Sequence, residues 1–467
     1  MLHTTTASNS CLGETAVNTY ALSRSLAVAT VLLAAPALAA QYGPLEIVGF
    51  VKDEYSLCDN CSEGLVNRSP YDPRGVLSPP DPMLNQGGDS ELTGRNLFLM
   101  QLTLGASHEF DNAVKIEAKT SGRMRNTDAD IFDNWMTDLY AGASHPQYGT
   151  LQVGKFSSRS WTRTDSFAYP LGLSSPWAES GAGYGVYPEA IRYGTKEFEF
   201  PLGKIRFEAS YAQADDRKPL NPESLLEGPP DPKLYEIFIQ YSNEKNLVEL
   251  IYQDSDGGRQ SSFSKGAFYG AQGNTNGQVS SPEYEDPSEN VLILQGNYWM
   301  NEKWKFTYGL KRSEWSGQAQ QCDFGPVSTV ESQCFWDQPG FNYSDELDAV
   351  YDAVVYDVML GAAYTRGKWV YTAGGVYMNK ASTDNPVEWG QDNTALFLNL
   401  GIYRDMPDFS LAGALFKTEV YGGLGRVMYG RQGPAPLSMP SNIAFGGVDP
   451  RTSESGNFFT IGVNLNF

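Results

Sequence analysis

The sequence lacks features that would place it in several common classes of protein. After residue 40 it has no apolar run near the roughly 20 residues that a transmembrane helix needs. Charged residues make up only 19% of the chain, and acidic residues outnumber basic ones by 55 to 34. Because nucleic-acid binding depends on Lys and Arg at the phosphates, this balance makes nucleic acid a poor partner and cations a good one.

Histidine is also scarce, and only two of the three, His108 and His145, follow residue 40. Neither lies near a cysteine, which disfavours zinc, and no phosphate-loop or nucleotide-binding motif occurs. Nucleophilic hydrolysis generally needs a histidine or similar base beside a serine. Both histidines fall at the ends of predicted strands, where polar residues are expected anyway. The sequence therefore predicts neither an enzyme nor a bound cofactor or metal.

The first forty residues have the pattern of an export signal. Arg24 precedes an apolar run over residues 26–35, and small residues suited to cleavage follow at 37–39. This pattern predicts a signal peptide over 1–40, whose apolar core is too short to span a bilayer, and one domain over 41–467. Removing the peptide takes away one base, Arg24, and one acid, Glu14, so the net charge stays at −21.

Cysteine is rare but paired. The four cysteines after residue 40 lie in two local pairs, Cys58 with Cys61 and Cys322 with Cys334, each in a turn-rich segment. In an exported protein, local pairs of this kind favour two loop-closing disulfides. The alternative for the Cys58–Cys61 pair is a redox or metal site.

Glycine (47) and the aromatic residues Tyr (27), Phe (23) and Trp (9) are abundant, which favours strands and turns over helices. The last twelve residues, "GNFFTIGVNLNF", show the pattern most clearly, because every second residue from Phe459 to Phe467 is apolar. The intervening positions are small or polar after Phe458. This alternation predicts a strand with one apolar face and one polar face.

The same alternation recurs along the whole chain and predicts sixteen strands. They lie near 45–57, 94–108, 113–123, 137–145, 150–157, 189–198, 204–213, 233–242, 246–254, 289–299, 304–313, 352–364, 368–379, 393–404, 410–426 and 457–467.

Seven short turns join these strands in pairs, and long polar loops separate the pairs. The loops cover 58–93, 124–136, 158–188, 214–232, 255–288, 314–351, 380–392 and 427–456. Short turns alternating with long loops are typical of an all-β transmembrane antiparallel barrel. A soluble sandwich predicts more even loops, and a β-helix predicts a short fixed repeat. In a closed barrel the last strand pairs with the first, and lipid covers the apolar face.

Three stretches resemble the general porins of Gram-negative bacteria, which are sixteen-stranded trimers. They are "DLYAGASHPQYGTLQVGK" (138–155), "EAIRYGTKEFEFPLGKIRFEASYA" (189–212) and the final "FFTIGVNLNF". The resemblance implies an outer-membrane location in contact with lipid, a homotrimer, and recognition of the terminal Phe467 by the outer-membrane assembly machinery.

The same family folds its third external loop into the pore, between strands five and six. The corresponding loop here is 158–188, which has "PWAESGAGYG" where the family has an acidic motif. The resemblance implies Asp165 and Glu179 as the constriction acids. Opposite such a loop the family places bases on the wall, and the candidates here are Arg95, Lys115, Lys119, Arg123, Lys155, Arg159, Arg163 and Arg192. Opposed charges across a narrow lumen bias which ions pass, although ordinary wetted lumen positions would also be polar.

The predicted function is passive diffusion of ions and small hydrophilic solutes through a water-filled channel. The 54 acids against 33 bases that remain after Glu14 and Arg24 are removed predict a weak cation preference. A substrate-selective channel is the main alternative. A barrel around an electron-transfer partner, an outer-membrane hydrolase and an adhesive barrel with a filled lumen are weaker ones, since sixteen strands leave room for an aqueous channel.

Overall fold

The computed structural model describes residues 41–42, 45–59, 93–125, 136–179, 186–213, 233–256, 288–318, 350–380, 382–383, 392, 394–411, 414–430 and 454–467. Its sixteen long strands are Leu45–Cys58 (β1), Thr93–Glu109 (β2), Lys115–Arg125 (β3), Met136–His145 (β4), Gly149–Ser157 (β5), Val186–Gly194 (β6), Gly203–Gln213 (β7), Lys233–Ser242 (β8), Asn246–Asp256 (β9), Ser288–Trp299 (β10), Trp304–Gln318 (β11), Val350–Arg366 (β12), Trp369–Met378 (β13), Ala395–Asp405 (β14), Ala414–Tyr429 (β15) and Ser455–Asn466 (β16). Four short strands accompany them: Gln41–Tyr42, Phe198–Phe200, Ser382–Thr383 and Phe409–Leu411.

Each long strand pairs antiparallel with its neighbours in sequence, and the ladder closes on itself. The last strand, β16, pairs with β1, where Lys52 lies opposite Asn464 and Ser56 opposite Thr460. Phe467 extends this pairing, since it exchanges two 2.9 Å backbone hydrogen bonds with Gly49. Closure leaves no open edge on either strand. The prediction of a sixteen-stranded antiparallel barrel is therefore confirmed.

Short turns join the strand pairs at one end of the barrel. Phe110 N–H donates to the Val114 carbonyl at 2.9 Å, and Met300 N–H donates to the Trp304 carbonyl at 3.1 Å. The predicted strand over 189–198 is wrong in its bounds, because β6 covers 186–194 and a separate short strand follows. The pairing of β5 with β6 also shifts at a bulge near the start of β6, where Gly154 lies opposite Ala190 and Phe156 opposite Tyr187. The predicted long loops other than 158–188 lie largely outside the described residues, as does the predicted signal peptide.

The two faces of the strands differ sharply. Large apolar side chains on the outer face are exposed, for example Leu360 (63%), Leu400 (59%) and Leu424 (58%). The residues that alternate with them, such as Met359 and Asn399, point inward and are buried. A continuous exposed apolar belt around a closed barrel requires an apolar surrounding, and bilayer lipid supplies it. Within the described residues, no helix is long and apolar enough to cross a membrane.

Two short helices follow β5 and lie inside the barrel. They are Arg159–Phe167 (α1) and Ser174–Glu179 (α2). Ser158 begins α1 as its N-cap, because its hydroxyl accepts a 3.0 Å hydrogen bond from the Trp161 N–H. We call residues 158–179 the lumen segment.

The lumen segment fits the inner wall because the wall carries glycines where it docks. A Cβ placed on Gly361 would meet Leu171 Cδ1 at 2.8 Å, and a Cβ placed on Gly374 would meet Leu173 Cδ1 at 2.4 Å. Trp177 lies in the same way over Gly309, where an added Cβ would meet its ring at 2.5 Å. These leucines and the tryptophan have no exposed surface, so the interior of the barrel contains its own packed core.

Candidate channel constriction

The lumen segment begins on a buried carboxylate of the wall. Glu236, on β8, accepts hydrogen bonds from the backbone N–H of Arg159, at 2.8 and 3.0 Å, and of Ser160, at 2.9 Å. Gln253 on β9 completes the contact, since its amide donates to the Ser160 hydroxyl at 2.9 Å. A carboxylate at a helix N-terminus satisfies unpaired backbone donors and complements the helix dipole. The wall thereby fixes the start of α1.

Salt bridges then hold the length of α1 against the wall. Arg159 Nε donates to Glu208 on β7 at 2.6 Å, and Arg163 pairs with Glu249 on β9 through its Nε at 2.8 Å. Glu208 and Glu249 are almost fully buried, while both arginines keep about a third of their side chains exposed. Buried carboxylates need such partners because desolvation penalises the unpaired charge. The loop therefore carries the bases at this contact and the wall carries the acids.

A second helix is held by neutral and cationic contacts. Trp177 Nε1 donates to Gln295 on β10 at 2.8 Å, and Gln295 in turn donates to Glu249 at 2.8 Å. Lys311, on β11, donates to the Trp177 carbonyl and lies 4.3 Å from the centroid of its ring. Both helices are therefore linked to one wall network centred on Glu249.

The turn between the helices reaches a more distant part of the wall. Tyr169 donates its hydroxyl to Glu419 on β15 and packs edge-on against Tyr403 of β14, with ring centroids 5.8 Å apart. Tyr421 stacks on Tyr403 and donates to Glu54 of β1 at 2.7 Å. The lumen segment thus contacts the wall from β7 round to β15.

The predicted constriction acids lie on this segment. Asp165 lies on α1 and is partly exposed, and Glu179 is the last residue of α2, with a side chain outside the described part of the structure. Their role in the constriction stays a prediction.

Several predicted wall bases lie on the lumen face of the opposite strands. Lys115, Lys119 and Arg123 alternate along β3 with Ile116, whose side chain is exposed on the outer face. Arg123 donates to Gln101 of β2 at 3.0 and 3.2 Å. The register places Arg95 opposite Ser56, which is also a lumen position, although the side chain of Arg95 lies outside the described residues.

Arg192 of β6 is also a wall base, and it is buried. It donates to the Ser210 hydroxyl at 2.8 Å and lies 3.4 Å from Glu236. It therefore belongs to the wall beneath α1 and not to the open lumen.

Three predicted wall bases are placed differently in the structure. Arg159 and Arg163 belong to the lumen segment itself, because Ser158 starts a helix directly after β5. Lys155 lies opposite Leu139 and two residues after Val153, both exposed on the outer face. The pairing of β5 with β4 runs without a shift as far as Lys155, so Lys155 does not share the lumen face.

Sequence reasoning missed the wall acids Glu208, Glu236 and Glu249, and the base Arg206. The sequence indicates these residues through their alternation with outward-facing residues such as Phe207 and Ile237. That alternation indicates a lumen position but does not identify a partner tens of residues away. Among the residues that the structure describes, no group of three or more His, Cys, Asp or Glu is placed to hold a metal ion. Cys61, Cys322 and Cys334 lie outside that part, so both disulfides stay predictions.

Comparison with solved structures identifies the architecture. An anion-selective porin from Comamonas acidovorans superposes with a TM-score of 0.55 at 13% identity, covering 91% of this chain and 99% of that one. The chain has the fold of a porin. OmpT, an outer-membrane protein of Vibrio cholerae, gives a TM-score of 0.53 at 11% identity, covering 92% and 100% of the two chains. The outer-membrane channel DcaP of Acinetobacter baumannii gives 0.50 at 10% identity, covering 91% and 97%. No protein-family model matches the sequence. No curated protein matches it either.

Proposed function

We propose that the protein is an outer-membrane channel through which ions and small hydrophilic solutes diffuse passively. The observation that carries the proposal is the placement of the lumen segment inside the barrel, where its hydrogen bonds among the described residues reach the wall from β7 to β15. Sixteen strands enclose a lumen wide enough for an aqueous channel, and the docked segment narrows it.

The inner faces of β2 and β3 suit hydrated solutes. Arg123 and Gln101, both partly exposed, form a hydrogen-bonded pair at 3.0 and 3.2 Å. Lys115, Glu117 and Lys119 share the same face and are partly exposed. Groups of this kind hydrogen-bond water and polar solutes as they pass, which lowers the barrier for a hydrophilic solute.

The weak cation preference predicted from composition has its source outside the constriction. At the contact between α1 and the wall, four arginines face three glutamates, so the net charge there does not add to a cation preference. They are Arg159, Arg163, Arg192 and Arg206, and Glu208, Glu236 and Glu249. Acidic residues are instead dense in the predicted external loops, as in "YEDPSEN" over 284–290. Charges at a channel mouth are screened within about 8 Å at physiological salt. The reversal potential in a KCl gradient should therefore favour K⁺ at low salt and approach zero above about 1 M, where the Debye length is about 3 Å.

A substrate-selective channel is a second candidate, favoured by the three tyrosines at the turn of the lumen segment. Tyr169, Tyr403 and Tyr421 form a continuous aromatic cluster beside Glu54 and Glu419. Liposome swelling with neutral sugars of increasing size separates the two candidates. Passive diffusion predicts rates that fall smoothly with solute size, whereas one sugar that enters faster than smaller ones would establish selectivity.

Three weaker alternatives have less support. His108 packs against Phe110 and His145 against Tyr148, with centroids 4.7 Å apart in both cases, so each histidine lies at a short turn away from the lumen segment. This placement disfavours a hydrolase. An electron-transfer sheath rests on Cys58 and Cys61 alone, and Cys58 ends β1 at the rim. A plugged adhesive barrel would show no single-channel conductance.

A homotrimer remains part of the proposal through the sequence resemblance to general porins. Porin barrels assemble through their outer faces, where lipid is replaced by a second copy of the chain. Chemical cross-linking of the detergent-solubilised protein should therefore give a ladder that ends at three copies. A ladder that ends at one copy would remove the trimer from the proposal and leave the channel unaffected.

A further inference from the structure

Three arginine side chains converge on one aromatic ring of the lumen wall. Arg159 and Arg163 approach it from α1, and Arg206 approaches it from β7. Their guanidinium carbons lie 5.7, 6.0 and 5.8 Å from the centroid of the Phe238 ring, which is itself buried. The guanidinium groups therefore surround a single point beneath the helix.

The carboxylates at this point do not balance the three positive charges. Glu208 is shared, since it accepts from Arg159 at 2.6 Å and lies 3.4 Å from Arg206. Glu249 pairs with Arg163 and also accepts from Gln240 at 2.7 Å. Three guanidiniums therefore meet two carboxylates. The third acid, Glu236, is engaged by the start of α1 and by Arg192.

The three arginines also keep hydrogen-bond donors that these contacts do not use, in addition to their excess positive charge. A guanidinium has five N–H donors in a planar fork, and the bonds above use only part of that capacity in each arginine. The Nε of Arg206 is buried and has no hydrogen-bond partner within the described residues. Each of the three side chains is 27–33% exposed, so their other donors can reach the lumen.

We propose that Arg159, Arg163 and Arg206 form a binding subsite for a small oxyanion, either a carboxylate or a phosphate group of a permeating solute. Planar guanidinium forks match both groups through paired, charge-assisted hydrogen bonds. The subsite deepens the proposed channel function and rests on it. Its role is to bind anionic solutes transiently beside the constriction, through the exposed parts of these three side chains.

The test is block of chloride current in planar bilayers. Gluconate and glucose are nearly equal in size and differ in one carboxylate, and inorganic phosphate probes the second chemistry. For the unmodified protein, gluconate or phosphate should reduce the chloride current at concentrations where glucose does not. The Arg206→Gln variant should raise the half-blocking concentration about tenfold, which corresponds to the loss of one charge-assisted hydrogen bond. The half-blocking concentration for Arg206→Lys should lie between those for the unmodified protein and for Arg206→Gln, because lysine keeps the charge and lacks the planar guanidinium fork.

The matched control is Arg312→Gln. Arg312 is 32% exposed, against 33% for Arg206, and is also paired with a glutamate, Glu314, but it lies on the outer-face phase of β11. The half-blocking concentrations of gluconate and phosphate for this control should equal those for the unmodified protein. Equal block by gluconate and glucose, or equal block of the Arg206→Gln and Arg312→Gln variants, would overturn the subsite. Block by only one of the two oxyanions would identify which group it accepts. An absence of any conductance would instead refute the channel.

Discussion

Replacing Arg163 with glutamine should loosen α1 from the barrel wall. Glu249, its partner, has no exposed side-chain surface, so Arg163→Gln leaves a carboxylate buried without its cation. Removing one partner of a buried pair costs about 3–5 kcal/mol. Gln240 and Gln295 still donate to Glu249, at 2.7 and 2.8 Å, which places the effect at about 2 kcal/mol.

The carboxylate regains water when α1 leaves the wall, so the penalty falls on the docked state. About 2 kcal/mol corresponds to a roughly thirtyfold increase in the opening equilibrium. Hydrogen-exchange mass spectrometry of the detergent-solubilised protein measures this directly, on peptides that cover 159–167. Backbone amides there should exchange roughly thirtyfold faster, while amides of β8 should keep their protection, because the barrel stays closed.

The controls are the reciprocal variant, Glu249→Gln, and the double variant that carries both substitutions. Glu249→Gln removes the partner of Arg163, but the Arg163 side chain is 30% exposed and can be hydrated. The loss of α1 docking free energy should therefore stay below about 1 kcal/mol. The Arg163→Gln, Glu249→Gln double variant leaves no buried, unpaired charge at this contact and should exchange nearly as slowly as the parent protein. Exchange in the double variant as fast as in Arg163→Gln would refute the reasoning.

Three further predictions concern the same segment. Gly374→Val should displace the turn at Leu173, because an added Cβ would lie 2.4 Å from the Leu173 Cδ1, and the open-channel current should become noisier. The control is Gly422→Ala, where the nearest atom to an added Cβ would be 3.5 Å away, and its current noise should not change. Ser158→Ala should cost about 1 kcal/mol of α1 docking by removing the N-cap, measured by the same amide exchange. Asp165→Asn should shift the reversal potential toward chloride if this carboxylate faces the pore, and an unchanged potential would remove Asp165 from the constriction.

The barrel could be predicted from sequence because its signal is local. Each strand, for example Lys115–Arg125, alternates within itself, and lipid outside with water inside imposes the same period on every strand. The predicted bounds therefore agree with the structure to within a few residues for most strands. The error lies at the two ends of β6, which begins at Val186 beside a bulge and ends at Gly194, before the separate short strand Phe198–Phe200.

The constriction could not be predicted in the same way because its contacts are distant in sequence. Arg163 and Glu249 are 86 residues apart, and Tyr169 and Glu419 are 250 apart. Nothing in the local pattern distinguishes Glu249 from an ordinary wetted lumen residue. The expectation of an acidic loop facing a basic wall came from the family resemblance, whereas α1 contacts its wall through arginines on the loop and glutamates on the strands.

Single-channel recording of the purified protein in a planar lipid bilayer tests the central claim most directly. A barrel that holds a continuous column of water beside the docked lumen segment should insert in discrete conductance steps. The size of these steps should rise in proportion to the bulk KCl concentration. Folded protein that inserts into the bilayer without any conductance step would contradict the account.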